Sequence, residues 1–175
     1  LGVLKLRSDQ AEQARELFKQ ALAKDNTLFS ANLNMGLLLL SEGAVAEARN
    51  YLESAEATSP KDPLVNQSLG IIAQTQADLP KAEGLYRKAL LADANLLLSH
   101  TGLAEVLLAQ GKPREAIQSS RNALRTDEKS ARAMLAMAAG LVATNNNEKA
   151  WELLQQATSE QPDNVEAWVQ LGRVG

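Results

Sequence analysis

A pair of alanines seven residues apart recurs every 34 residues along the chain. The first alanine of each pair is Ala14, Ala48, Ala82, Ala116 or Ala150. The second is Ala21, Ala55, Ala89, Ala123 or Ala157. A large side chain lies four residues after the first alanine, with Ser120 as the exception, and no insertion or deletion breaks the register. A constant period of this length predicts stacked repeats, because one such unit cannot bury its apolar face alone.

A second column of small residues lies twelve positions before the first alanine and follows an apolar residue each time. Its members are Gly2, Gly36, Gly70, Ala104, Ala138 and Gly172. Small residues at both columns predict two helices per unit that pack closely against each other. We expect helix A to cover the first 13 residues of a unit and helix B to run from about residue 17 to 30.

The register divides the chain into one continuous array. The predicted units are a partial repeat at 1–28, complete repeats at 29–62, 63–96, 97–130 and 131–164, and a partial repeat at 165–175. In the first partial repeat, residues 1–8 are predicted to end a helix A and residues 11–24 to form its helix B. Asp62 followed by Pro63 predicts a helix start, since proline is favoured at the first helical position.

The columns also carry motifs of a known family. Trp168, Leu171 and Gly172 form W-x2-L-G, Ala14 and Phe18 form A-x3-F, and the closing proline stands at Pro60 and Pro162. The chain therefore resembles the tetratricopeptide repeat family along its whole length. That resemblance implies an all-α, right-handed solenoid of antiparallel helix pairs, with helix A on the concave face and helix B on the convex face. The tryptophan column departs from the family pattern elsewhere, where it reads Asn32, Asn66, His100 and Met134.

Composition disfavours several function classes. The formal net charge is -3, and positive and negative side chains are spread evenly, which does not suggest a nucleic-acid-binding face. The chain has no cysteine and therefore no disulfide or thiol chemistry. No apolar run is long enough to span a membrane. Charged residues make up 22% of the chain, as is typical of a helical protein in water.

Catalytic patterns are weak. His100 is the single histidine and lies at the tryptophan column, where a structural imidazole is expected in preference to a catalytic or metal-binding one. The carboxylate pairs Glu53 with Glu56 and Asp127 with Glu128 are predicted to be solvated, and a catalytic pair would need desolvation. The sequence predicts a protein that is not an enzyme and that uses no cofactor and no metal.

The family resemblance implies a binding groove on helix A, formed by the second, fifth, sixth, ninth and twelfth positions of each unit. The predicted groove residues are Leu33, Asn34, Leu37, Leu64, Gln67, Ser68, Ile71, Gln74, Leu98, Thr101, Glu105, Arg132 and Leu135. This apolar surface with amide edges predicts a protein or peptide partner that offers an apolar or amphipathic segment. For each leucine, burial in the seam between repeats is an equal alternative.

Two further features of the sequence have alternative explanations. A basic cluster stands out, formed by Lys112, Arg114, Arg121, Arg125, Lys129 and Arg132. A solvated helix face is the expected explanation, and a docking surface for an acidic partner is the alternative. Trp151 is expected to pack between helices A and B, with a binding role as its alternative.

The function that the sequence favours is a scaffold or adaptor, with a concave groove used within a larger assembly. Alanine- and glutamine-rich repeats suggest a bacterial assembly of the cell envelope, a pilus, secretion or motility. One alternative is a substrate-recruiting or regulatory arm of an enzyme whose catalytic domain lies outside these residues. A second alternative is self-association through a terminal helix, because the outer face of residues 165–173 would need either a further repeat beyond Gly175 or a second copy to cover it.

Overall fold

The computed structural model of the chain describes residues 2–174, which form ten α-helices joined by short turns. The helices are α1 (Gly2–Lys24), α2 (Phe29–Ser41), α3 (Val45–Thr58), α4 (Pro63–Thr75), α5 (Leu79–Ala92), α6 (Leu97–Ala109), α7 (Pro113–Thr126), α8 (Ala131–Ala143), α9 (Asn147–Glu160) and α10 (Val165–Val174). None of these helices is long and apolar enough to cross a lipid bilayer.

The helix bounds match the predicted 34-residue register. In the four complete units, helix A occupies positions 1–13 and helix B positions 17–30, as the spacing predicted. The first partial repeat is different, and its prediction was wrong. Residues 2–24 form one uninterrupted helix, and no turn separates residues 2–8 from residues 11–24. Position 9 is Asp9, and nothing in the surrounding sequence forces the helix to break there, because neither proline nor glycine interrupts it.

The turn between helices A and B needs one residue in the left-handed region. Gly43 and Gly111 have φ angles of 79° and 73°, and Asn145 has 59°. Ala77 takes the same conformation with φ of 58°, which costs a residue with a Cβ about 1–2 kcal/mol. At the start of helix A, the Asp62 carboxylate accepts hydrogen bonds from the backbone N–H groups of the second and third helical residues. The predicted cap is therefore confirmed at this position.

The helices form two layers. Each helix packs antiparallel against the next one in the chain, and the A helices α2, α4, α6, α8 and α10 also contact one another in succession. Within residues 2–174, the B helices α3, α5, α7 and α9 make no such contacts with each other. A double layer that is closer on one side than on the other must curve toward the closer side. The A helices therefore line the inner face and the B helices the outer face.

The small residues of helix A make room for large side chains of helix B. A Cβ on Gly36 would lie 2.6 Å from Leu52 Cγ, and one on Gly70 would lie 2.9 Å from the Tyr86 ring. The alanine columns are fully buried, with Ala48, Ala55 and their equivalents at 0% exposure wherever a complete unit surrounds them. The close packing that the sequence predicted is therefore mainly a contact between helix A backbone and helix B side chains.

Candidate functional site

The inner face consists of residues from consecutive A helices, and burial divides the thirteen predicted groove residues into two groups. Five of them are buried: Leu33, Gln67, Ser68, Thr101 and Leu135. Eight are exposed or half-buried: Asn34, Leu37, Leu64, Ile71, Gln74, Leu98, Glu105 and Arg132.

The buried group belongs to the seam between adjacent repeats. The fifth position of the unit is buried in every complete repeat. Gln67 and Thr101, two of the buried polar members, take part in hydrogen bonds. Ser99 Oγ donates to Gln67 Oε1 at 3.1 Å between α6 and α4, and Thr101 Oγ1 donates to the backbone of its own helix. In the free chain Leu33, Gln67, Ser68 and Thr101 lie beneath the inner face and are not accessible to a partner, whereas the exposed edge of Leu135 lines a shallow hollow.

The exposed group presents a row of apolar side chains. Leu64 is 39% exposed and Leu98 is 46% exposed, and both lie at the second position of their units. Leu37 and Ile71 are half-buried at the ninth position of units 29–62 and 63–96, and one side of each packs against the core. The spacing of the columns places these four side chains on the same face of adjacent helices. The central part of the inner face is therefore apolar.

A hydrogen-bonded network crosses the inner face beside this row. Tyr86 Oη donates to Gln74 Oε1 at 2.7 Å, and Gln74 Nε2 donates to Glu105 Oε2 at 2.8 Å. Arg132 completes the network with two hydrogen bonds of 2.6 Å to the Glu105 carboxylate. The network thus links α5, α4, α6 and α8. The hydrogen bonds to Glu105 raise the pKa of Arg132, and burial raises the pKa of the Tyr86 phenol above its ordinary value.

A shallow hollow of about 280 Å³ lies at the C-terminal end of the same face. Its apolar part comes from Leu108, Leu135 and alanines of α8, and its polar edge includes the Glu105–Arg132 pair. The hollow can accept a small apolar side chain next to a polar or charged group.

The tryptophan column has a structural role that explains its varied composition. Asn32 Nδ2 donates to Asn26 O at 2.8 Å, and Asn66 Nδ2 donates to Pro60 O at 3.1 Å. His100 Nε2 lies 2.9 Å from the carbonyl oxygen six residues earlier, and Trp168 Nε1 donates to the equivalent oxygen, also at 2.9 Å. All four side chains offer an N–H group at the same place. In these four units the column places an N–H donor that binds the loop between repeats. The residue types alone did not predict this shared role.

This bond defines which ring nitrogen of His100 carries the proton. Because Nε2 faces a carbonyl oxygen, it must carry the proton, and the buried Nδ1 has no hydrogen-bond partner within residues 2–174. Met134 stands in the same column and has no N–H group to donate. Among the described residues, no group of three or more histidine, aspartate or glutamate side chains is arranged to hold a metal ion.

The two tryptophans are partly exposed. Trp151 on α9 is 40% exposed, whereas the sequence led us to expect it packed between helices A and B. Trp168 on α10 is 53% exposed, although its indole N–H is bound to the preceding loop. Both therefore leave an aromatic surface accessible to solvent in the part of the chain that the structure describes.

The architecture is that of a helical-hairpin repeat protein, with a curved double layer and a partly apolar inner face. The tetratricopeptide repeat family model matches residues 5–70 and 107–173, and the chain belongs to that family. A comparison with curated proteins gives no significant match.

Solved structures share the fold at low sequence identity. YrrB, described as a TPR protein with an unusual peptide-binding site, is 21% identical with a TM-score of 0.76, and the match covers 95% of this chain and 86% of YrrB. MamA from Desulfovibrio magneticus RS-1 is 21% identical with a TM-score of 0.74, over 83% of this chain and 82% of MamA. In the APC/C hetero-tetramer Cut9-Hcn1, a chain 20% identical has a TM-score of 0.85, over 97% of this chain and 34% of that one.

Proposed function

We propose that the chain is a protein-interaction scaffold that binds an apolar or amphipathic segment of a partner along its inner face. The observation that carries this proposal is the row of accessible apolar side chains at Leu37, Leu64, Ile71 and Leu98. Tetratricopeptide repeat proteins generally mediate protein–protein interactions, and burial of such side chains by a partner contributes roughly 25 cal/mol per Å² of apolar surface.

The polar network gives the bound segment an orientation. Apolar side chains of the partner face the leucine row, while its polar groups face Gln74, Glu105 and Arg132 at the C-terminal end. An amphipathic helix satisfies both requirements, because its two faces separate apolar from polar side chains. An extended segment with an apolar stretch followed by a polar one does so as well.

The test replaces accessible leucines by a charged residue. The double variant Leu64→Asp and Leu98→Asp alters two exposed side chains and should leave the helix content unchanged. Leu37→Asp with Ile71→Asp is the second variant, and circular dichroism must show that it remains helical. Leu91→Asp is the matched control, because Leu91 is a highly exposed leucine of the outer layer.

Partners are captured with the original chain, identified by mass spectrometry and titrated against each variant. We expect both inner-face variants to lose affinity for the captured partner, and the control to keep it. Full affinity in both inner-face variants would refute binding at this surface. A loss in the Leu91→Asp control would show that charge on any exposed leucine disturbs the chain.

The larger setting is a separate proposal. A scaffold of this kind serves either in a multi-protein assembly, including bacterial envelope, pilus, secretion or motility machinery, or as the recruiting arm of an enzyme. A similar fold occurs in Pseudomonas aeruginosa pilF, at 17% identity and a TM-score of 0.73. The full-length sequence and the identity of the captured partner distinguish these settings.

Self-association is a second candidate function that one observation favours. Val165, Trp168 and Val169 of α10 are exposed in the described part of the chain, and they form an apolar surface at the end of the array. A second copy could cover it. Sedimentation equilibrium over a range of concentrations tests this candidate. A monomer at every concentration would exclude it, and a dimer that Trp168→Glu dissociates would support it.

A further inference from the structure

The outer layer contains a groove between α7 and α9, with α8 at its base. Its volume is about 550 Å³. Met137 and Leu141 of α8 provide an apolar floor, while Ile117 of α7 and Leu153 of α9 add apolar walls. Because the B helices make no direct contact with each other, this groove opens outward, on the side of the double layer away from the inner face.

Cationic side chains line both walls of this groove. Arg114 and Arg121 come from α7, and Lys149 comes from α9. Glu152 is the carboxylate among the lining residues, so the cations are in excess. This excess is local, because the whole chain has a formal net charge of -3.

The other cations of the predicted basic cluster are mostly neutralised by neighbours. Lys112 forms an ion pair with Glu83, Lys129 with Glu160 and Arg132 with Glu105. Within the described residues, Arg114, Arg121 and Lys149 have no carboxylate partner. The unpaired charge of the cluster is thus concentrated at the groove, with Arg125 further along α7.

The neighbouring groove between α5 and α7 does not share this property. Four leucines line it, but Arg87 and Glu115 at its edge bind each other at 2.8 Å. Its charges are therefore balanced, and it gives no preference for an acidic or a basic partner. The excess of positive charge distinguishes the groove between α7 and α9.

We propose that the groove between α7 and α9 is a second docking site, which takes an acidic amphipathic segment of a partner protein. The apolar floor favours a protein segment over a nucleic acid, because a phosphate backbone gains nothing from contact with methionine and leucine. This site lies on the outer layer and does not depend on the proposed function of the inner face. Together with the partner proposed for the inner face, this site would let the chain connect two proteins, one on each face.

The spacing of the arginines defines the pattern of the segment. Arg114 and Arg121 are seven residues apart in one helix, which places them about 10 Å apart along its axis. Acidic side chains match this distance at positions i and i+7 of a bound helix, or at i and i+3 of an extended chain. Apolar side chains of the segment then lie over Met137 and Leu141.

The test uses fluorescein-labelled peptides of about 14 residues, enough for four helical turns. One peptide has glutamates at i and i+7 and leucines on the adjoining face. A second has lysine in place of each glutamate, and a third has serine in place of each leucine. Binding is measured by fluorescence polarisation against the original chain and against the charge-reversed variant Arg114→Glu with Arg121→Glu.

The chain offers a closely matched control. Lys81 and Lys88 of α5 are exposed and also seven residues apart, and neither lines the groove. Lys81→Glu with Lys88→Glu makes the same change in net charge at the same spacing. We expect the first peptide to bind, the Arg114 and Arg121 reversal to weaken it about tenfold, and the α5 reversal to change affinity by less than about twofold.

Several results would overturn the proposal. One is equal binding of the lysine or serine peptide, and another is unchanged binding to the Arg114 and Arg121 reversal. Equal weakening by the α5 reversal would show a general effect of net charge. A short single-stranded RNA that binds with the same dependence on Arg114 and Arg121 would identify a nucleic-acid site instead. Loss of the peptide in Leu64→Asp with Leu98→Asp would place it on the inner face, whereas retention there supports two separate sites.

Discussion

The Tyr86 ring inserts between two glycines, and this contact allows a sharp test of the packing. A Cβ on Gly102 of α6 would lie 2.5 Å from Tyr86 Cζ and 2.6 Å from its Oη. Real Cβ atoms essentially never approach closer than 3.0 Å. The ring cannot swing away freely, because Tyr86 is 1% exposed and its hydroxyl is bound to Gln74. Gly102→Ala therefore forces either the ring or the helix to move.

The expected free-energy change has two parts of opposite sign. Alanine in place of a glycine within a helix stabilises it by about 0.8–1 kcal/mol. Overpacking a well-filled core costs about 1–3 kcal/mol. The sum predicts that Gly102→Ala lowers the free energy of unfolding by up to about 2 kcal/mol.

The sign of the change should depend on Tyr86. Leucine has no atoms that correspond to Cζ and Oη, and it occupies the equivalent position at Leu52. In a Tyr86→Leu background, Gly102→Ala should therefore stabilise the chain by about 0.8–1 kcal/mol. Gly84→Ala on α5 is the matched control, since no described atom lies within 4 Å of its Cβ position. It should be stabilising in both backgrounds.

Urea unfolding followed by circular dichroism measures the stability of the four proteins in this double-mutant cycle. They are the original chain, the two single variants and the double variant. Hydrogen exchange of the α4 to α6 amides is a second readout, because repeat arrays can unfold in parts. A coupling energy of about 1–3 kcal/mol between Tyr86 and Gly102 is expected. An equal effect of Gly102→Ala in both backgrounds would refute the steric explanation. A destabilising Gly84→Ala would show that the propensity gain assumed here is wrong.

Substitutions at three further positions test other parts of the fold. Ala77→Gly should stabilise the chain by about 1 kcal/mol in urea unfolding, because it removes the left-handed strain of a residue with a Cβ; no gain would contradict this. His100→Asn should keep the bond to Ala94 O and nearly full stability, whereas His100→Leu should lose about 1 kcal/mol; equal losses would contradict the donor role. The hydrogen bond from Lys112 lowers the pKa of Glu83 below its ordinary 4.5, so that Glu83 stabilises the folded state above that pH and loses this contribution as the pH falls. Glu83→Gln should therefore lower the thermal midpoint at neutral pH, and the difference from the original chain should shrink in acid; a constant difference would contradict the ion pair.

The helices could be predicted from the sequence because the same columns recur in every unit. Five repetitions of the alanine pair define the register, and each helix A and helix B of the complete units follows from it. The continuous α1 could not be predicted, since Asp9 permits either a turn or a helix. The turn column shows the same ambiguity, because Ala77 adopts a conformation that its side chain disfavours.

The inner face was less predictable, because column position does not determine exposure. Leu33 and Leu37 are both helix A leucines, but the first is buried and the second is partly accessible. The polar network could not be derived either. Gln74, Glu105 and Arg132 lie at three different positions of three units, and their contacts depend on how far successive hairpins are rotated.

The unit at 97–130 departs from the repeat pattern in α7. Serines replace apolar residues on the core side of this helix, and arginines lie on its outer side. Ser120 replaces a large side chain that the other complete units bury, and Ser119 replaces an apolar side chain that they bury or half-bury. Ser120 Oγ has no hydrogen-bond partner among the described residues. The hydrophobic core is divided near this helix into one cluster mainly around α2 to α6 and another around α8 to α10. Arg114 and Arg121 lie on the outer side of this same helix, so a segment bound between α7 and α9 would add contacts where the serines remove them. Binding there would therefore slow hydrogen exchange in α7 more than in α5, which couples occupancy of the outer groove to the integrity of the array.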